Sequence, residues 1–114
     1  MPDKITVVIR ENPLRSGRAV EALRIALGLG AGERPISVVL LEKAPQLLSE
    51  DRDEVVDLDI LDKYLPSFQH LETDFLVPPG AIKDFSIEPG FRVTETDPDE
   101  LRRHLLSAKR VLVF

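Results

Sequence analysis

The sequence contains no cysteine among its 114 residues. That absence excludes a thiolate nucleophile, a disulfide framework and every zinc site built on sulfur. Tryptophan is also missing, and the aromatics amount to five Phe and one Tyr, so a folded core has to be aliphatic. Long apolar runs are lacking too, since none approaches the roughly 20 residues that span a bilayer. The opening Met1-Pro2-Asp3-Lys4-Ile5 leads toward a strand and lacks the charged-then-apolar order of a signal peptide. A cytoplasmic protein with no membrane partner is the expectation. Basic charge is in short supply, with 15 Lys and Arg against 20 Asp and Glu for a formal net charge of −5. Nucleic acids and anionic membranes are held by clustered cations. No basic tail or RNA-binding aromatic motif is present, so no nucleic-acid partner is expected.

What is present suits one α/β domain spanning residues 1–114, with 43% hydrophobic residues and no repeat or linker. Lys4 to Arg10 reads KITVVIR and Ile36 to Leu41 reads ISVVLL. Both are near-continuous apolar runs, the pattern of parallel strands covered on two faces. Between them Ala19, Val20, Ala22, Leu23, Ala26, Leu27 and Leu29 recur at helical spacing, and Gly28, Gly30 and Gly32 offer that helix places to stop. The three pieces make a βαβ unit. Ala44 to Leu48 reads as a short helix, and Glu50 to Asp59 as an acidic solvent-facing loop or helix start. A second amphipathic helix bears Leu58, Leu61, Tyr64, Leu65, Phe68 and Leu71, and Pro66 is expected to kink or divide it.

Further on, Asp74 to Val77 is a third strand that stops at Pro78-Pro79-Gly80, and Ala81 to Phe85 forms a helical turn. Phe91 to Glu95 is a fourth strand. Asp97-Pro98-Asp99-Glu100 has the residues of a capping box with proline at the first helical position. Leu101, Leu105 and Leu106 are expected on the buried side of that helix, and Arg110 to Phe114 closes the chain as a fifth strand.

Candidate sites are few. In open α/β sheets ligands gather where strand ends meet helix starts. The loop Glu11 to Gly17 is therefore a candidate anion site, with Asn12, Arg15, Ser16, Gly17 and Arg18 as its residues. It matches neither a P-loop nor GxGxxG, and an ordinary capped connection is the preferred reading. Pro78, Pro79 and Gly80 would share a small-ligand or nucleotide role with it. The acids Glu50, Asp51, Asp53, Glu54, Asp57 and Asp59 lack EF-hand spacing and read as a solvated run. No metal and no cofactor are expected. His70 and His104 show no metal spacing, and both are read as structural, complementing a helix dipole near a helix end. Tyr64, Phe68, Phe75, Phe85 and Phe91 belong to a core or a subunit interface. No catalytic residue stands out.

In order, ITVVIRENPLRSGRAVEALRIAL, ISVVLLEKAPQLL, DFLVPPGAI and DELRRHLLSAKRVLVF cover nearly the whole chain. This succession resembles the DsrE/DsrF-like family, which includes the TusB, TusC and TusD sulfur-relay subunits. The resemblance implies a compact three-layer α/β sandwich with a mostly parallel five-stranded sheet, assembled into oligomers. It also implies, for catalytic members, a persulfide cysteine just after the third strand. Here that place reads Val77-Pro78-Pro79-Gly80-Ala81, so the sulfur-carrying role passes to no residue. The implied function is that of a non-catalytic subunit acting in oligomer assembly or partner binding. Its partner would be another copy or a cysteine-bearing paralogue, with sulfur relay as the setting.

Overall fold

Five short β-branched or apolar stretches become strands: β1 (Ile5–Ile9), β2 (Ile36–Leu40), β3 (Asp74–Val77), β4 (Arg92–Glu95) and β5 (Arg110–Val113). They form one sheet of order β4-β3-β2-β1-β5 in which every neighbouring pair is parallel. The computed structural model describes residues 4–30 and 35–114. Expectations placed on Met1 to Asp3 and on Gly32 lie outside the described residues. The helices are α1 (Arg18–Gly30), α2 (Leu58–His70), the single turn α3 (Ala81–Asp84) and α4 (Pro98–Ser107), with a 3₁₀ turn at Ala44–Leu48. The expected fold class holds, and the sheet is parallel throughout.

Because side chains alternate along a strand, the sheet register sorts them into two unequal faces. Val7, Ile9, Val38, Leu40, Phe75 and Val77 face α1, α2 and the 3₁₀ turn in the main core, with Leu23, Leu47, Leu61, Leu65 and Phe68 packed among them. Phe75 is fully buried and lies edge-on to Phe68 (5.5 Å between centroids) and to Phe91 (6.0 Å). The opposite face is thin. Val8, Val39 and Leu76 form a small second cluster covered by Leu41 and by Leu101 and Leu105 of α4.

Local chemistry explains where most elements begin. The Asp97 side chain accepts from the Glu100 N–H at 2.8 Å, and the Asp97 N–H donates back to the Glu100 side chain at 3.3 Å. With Pro98 at the first helical position this is the predicted capping box, worth about 1 kcal/mol to α4. Gly80 takes φ 86° ahead of α3, a left-handed conformation that costs a side chain about 1–2 kcal/mol.

Two expectations are corrected. Helix α2 runs unbroken through Pro66. Pro66 is exposed, so the carbonyl freed by its missing N–H faces water rather than the core. Helix α1 passes Gly28 and extends to Gly30, another of the stops offered by the sequence, since the packing of Ala19, Val20, Leu23 and Ala26 outweighs the roughly 1 kcal/mol that one glycine costs a helix. Leu106 is not on the buried side of α4, being 75% exposed. A 100° step per residue carries it round the helix from Leu105, and His104 shares the inner side with Leu101 and Leu105 instead.

The acidic stretch after the 3₁₀ turn is fastened by one cation. Arg52 Nη1 donates to the Ser49 carbonyl at 2.9 Å and to Glu88 at 3.2 Å, while its Nε donates to Asp62 at 3.1 Å. Beside it, the Glu50 N–H donates to the Ser86 carbonyl and the Glu88 N–H to the Leu48 carbonyl. The loop leaving α3 is thus tied to the loop entering α2.

Candidate functional site

The loop after β1 is built by its own hydrogen bonds. Asn12 accepts the Leu14 N–H on its side chain at 3.0 Å, and its carbonyl accepts the N–H groups of Arg15 at 3.0 Å and Ser16 at 3.3 Å. The Arg18 N–H donates to Ser16 Oγ at 3.3 Å. The amides of Ser16 and Arg18, two of those expected to face an anion, are therefore engaged within the loop. Gly17 packs against the Asp57 carboxylate, which occupies the space a Cβ would need. Asp57 reaches this place from a left-handed backbone, φ 62°. A carboxylate beside the first turn of α1 interacts favourably with the helix dipole, so the chain supplies its own anion here. Arg18 approaches Glu11 at 4.0 Å, and Arg15 is exposed. Glu11, Arg18, Glu21, Val113 and Phe114 border a cavity of about 430 Å³.

The loop after β3 forms a separate place. Pro78 and Pro79 line a cavity of about 180 Å³ with Leu41, Thr96, Pro98 and Leu101. The walls are almost wholly apolar, and Ala81 is buried with its N–H bonded to the Pro78 carbonyl at 3.1 Å. Gly80 is exposed at the start of α3. The candidate residues Asn12 to Arg18 and Pro78 to Gly80 thus follow the carboxyl ends of β1 and β3, as expected, but Arg18 and the two prolines border different cavities. The apolar walls beside Pro78 and Pro79 offer one hydroxyl, on Thr96, and no charge to a phosphate.

A polar cluster that the sequence reading did not identify lies at the other end of the sheet, beneath α4. His104 Nε2 is 2.7 Å from Ser37 Oγ and 3.3 Å from Thr6 Oγ1, and the two hydroxyls are 3.0 Å apart. Thr6 is fully buried. The register continues this row through Asp74 to Arg92, and Arg92 Nε donates to Asp74 at 2.8 Å. The signal was in the sequence: Thr6 and Ser37 interrupt two otherwise apolar strands at matching positions. His104 lies in the last turn of α4, as expected, with its ring turned inward to the two hydroxyls. Burial chiefly, with the nearby charge of Lys4, pushes its imidazole below the ordinary histidine value, while Asp74 pulls the other way. A neutral imidazole bonded to two hydroxyls fastens α4 to β1 and β2. The Ser37–His104 spacing is also that of a nucleophile and its base, but Ser37 lies within a strand under the helix, and the cavities described above open elsewhere. His70 is exposed and borders a groove with Leu27, Pro66, Ser67 and Leu71.

The lowered His104 pKa has a definite consequence for stability. Above the ordinary histidine pKa, about 6.5, folded and unfolded chains are both neutral at this position and no penalty arises. As pH falls through that value the unfolded chain takes up the proton first, so stability declines until pH passes the lower folded pKa. Urea melts are expected to show this loss as pH falls below about 6.5, and His104→Gln is expected to flatten it. An unchanged slope in that variant would exclude the assignment.

Among the described residues, no group of three or more His, Cys, Asp and Glu side chains is disposed to hold a metal ion. No helix among them is long and apolar enough to cross a membrane. No protein-family model matches the chain, and no curated protein matches its sequence. The structure is similar to the crystal structure of the YchN protein from E. coli, with a TM-score of 0.78 at 20% identity over 98% of this chain and 99% of that one. At that identity the likeness shows a shared fold.

Proposed function

We propose that this chain is a DsrE/DsrF-like subunit that performs no sulfur chemistry of its own and acts by joining an assembly. Its partner is a second copy or a cysteine-bearing paralogue, with sulfur relay as the setting. Three things support the reading: the order of motifs in the sequence, the fold shared with YchN, and an apolar loop where catalytic relatives would carry their sulfur.

The observation that carries it is the unfinished second face of the sheet. Helix α4 has no fully buried residue. On its outer side Leu106 is 75% exposed, and on the edge strand β5 Val113 is 59% and Val111 40% exposed. The other edge, β4, presents Arg92, Thr94 and Glu95 instead, the polar dress expected of an edge that stays in water. Three such apolar side chains gathered on α4 and β5 support a surface that pairs.

Light scattering coupled to size exclusion tests this. The purified chain is expected to run as an oligomer, or to capture a cysteine-bearing paralogue from its native host. Leu106→Asp with Val113→Asp is expected to weaken that association at least tenfold. The fold should tolerate both changes, because exposed positions cost within about 0.5 kcal/mol. A chain that stays monomeric and captures no such paralogue would contradict the proposal. Phosphate and nucleotides are expected to leave the melting temperature unchanged, since a ligand bound only by the native state raises it.

A further inference from the structure

The assembly reading leaves open how two copies would meet, and the backbone of β5 answers it. Strand β5 ends the sheet and pairs only with β1. Along a strand, alternate residues turn their N–H and C=O groups toward the same neighbour. Here the Arg110 N–H donates to the Lys4 carbonyl at 3.4 Å and the Phe114 N–H to the Val8 carbonyl at 2.8 Å. The Phe114 carbonyl accepts the Arg10 N–H at 2.7 Å. Arg110, Leu112 and Phe114 therefore face β1. The N–H and C=O groups of Val111 and Val113 point out from the free edge, and no other described residue bonds them.

We infer that two copies of this chain join at this edge, β5 of one pairing antiparallel with β5 of the other about a two-fold axis at Leu112. The inference rests on the assembly reading and specifies its interface.

The edge is complementary to itself. With Leu112 on the axis, Val111 of each copy faces Val113 of its partner, and each facing couple exchanges both of its hydrogen bonds. This register uses the groups that β1 leaves free, so no bond within the domain is given up. A contact of the same patch with itself is isologous and closes at two copies. Both valines lie on the thin second face, level with Thr6 and Val8, and both are exposed. Pairing sets the valines of one copy beside those of the other, and such cross-strand neighbours are what stabilise a sheet.

Charge selects the direction of pairing and the choice of edge. A parallel pairing in register would place Arg110 beside Arg110. The antiparallel one holds the two guanidinium groups about 14 Å apart along the strands. No charged residue lies between Arg110 and Phe114. On β4, by contrast, Arg92 and Glu95 are exposed, and the Glu95 side chain accepts the Ile82 N–H of α3 at 3.2 Å. Charged side chains are how an edge is kept from pairing.

Because the chain has no cysteine, single introduced thiols report the register. Facing residues that do not share hydrogen bonds have Cα atoms about 4.5 Å apart, within the reach of a disulfide. Leu112→Cys is therefore expected to become a covalent dimer under mild oxidation. Val113→Cys should cross-link at least tenfold more slowly, since its two Cα atoms would lie about 9 Å apart. Mixing Val111→Cys with Val113→Cys should restore rapid cross-linking, because those residues face each other. Val113→Pro removes a donor that only the partner uses. Sedimentation velocity on the full chain is expected to show its dissociation constant raised at least tenfold, with circular dichroism unchanged. If that variant does not fold, the cross-linking alone decides.

An oligomer that survives Val113→Pro and gives no Leu112→Cys cross-link overturns this interface and leaves the assembly reading standing. Equal cross-linking at Leu112→Cys and Val113→Cys overturns the two-fold register. A parent chain that is monomeric yet captures a cysteine-bearing paralogue overturns this inference alone, and one that captures none overturns the assembly reading as well.

Discussion

Replacing Phe75 by alanine is expected to cost about 3–5 kcal/mol, the range for removing a buried aromatic ring. The side chain is fully buried at the centre of β3, between the rings of Phe68 and Phe91. Two effects add. The lost apolar burial accounts for most of the cost, and the two edge-on ring contacts contribute about 0.5–1.5 kcal/mol each. Neighbours that could refill the space are themselves fixed: Val38, Leu40, Leu61 and Phe68 are all at most 2% exposed. For a domain of this length such a loss lowers the melting temperature by on the order of 10–20 °C. It is also a large share of the roughly 5–15 kcal/mol that holds a typical domain folded. Thermal and urea melts followed by circular dichroism measure it, and a loss below about 1.5 kcal/mol would mean that the core around β3 repacks.

Arg52→Ala is the second large effect, at about 1–2 kcal/mol. Three hydrogen bonds disappear together, to Ser49, Glu88 and Asp62. The carboxylate side chains are 36% and 49% exposed, so water rescues them and the ion pairs count for little on their own. Most of the loss comes from the Ser49 carbonyl and from the arginine stem, whose side chain is only 20% exposed. Arg52→Lys is expected to recover less than half, because a single ammonium cannot reproduce the planar fork that serves three acceptors. Hydrogen exchange offers a sharper readout than the melt. The amides of Glu50 and Glu88, which tie the two loops together, are expected to lose protection in the alanine variant while those of β1 and β2 keep theirs. Equal loss everywhere would show that the clamp stabilises the whole domain instead of one corner.

Elements whose cause is local were legible in the sequence. The β-branched run of β1 and the box at Asp97 to Glu100 need only neighbours a few residues away. The fold class followed, because near-continuous apolar strands separated by helical spacing leave little choice but a parallel sheet. What the sequence concealed depends on distant partners. Pro66 was expected to break α2, and whether it does turns on whether the freed carbonyl meets core or water. Leu106 was expected on the buried side of α4 and turns outward, since composition favours burying leucine while the helix turn sets the angle. His104 goes inward because Thr6 and Ser37, 98 and 67 residues away, supply hydroxyls for it. The candidate loop at Asn12 to Arg18 was located correctly at a strand end. Its occupation by Asp57 came from a residue 40 positions further along, and no local pattern announces that.

The sheet order also sets a schedule for folding. Strand β1 is the first of the five in the chain, yet it sits inside the sheet, between β2 and β5, and Ile5 is paired with Arg110. One side of β1 can be satisfied once β2 exists, whereas its other side waits for nearly everything that follows. During synthesis that edge stays open until Arg110 to Val113 has left the ribosome. Contacts so distant along the chain make closure slow, and an unpaired apolar edge is where newly made chains stick to one another. The late strand that completes the fold is thus also the cover that protects its oldest part.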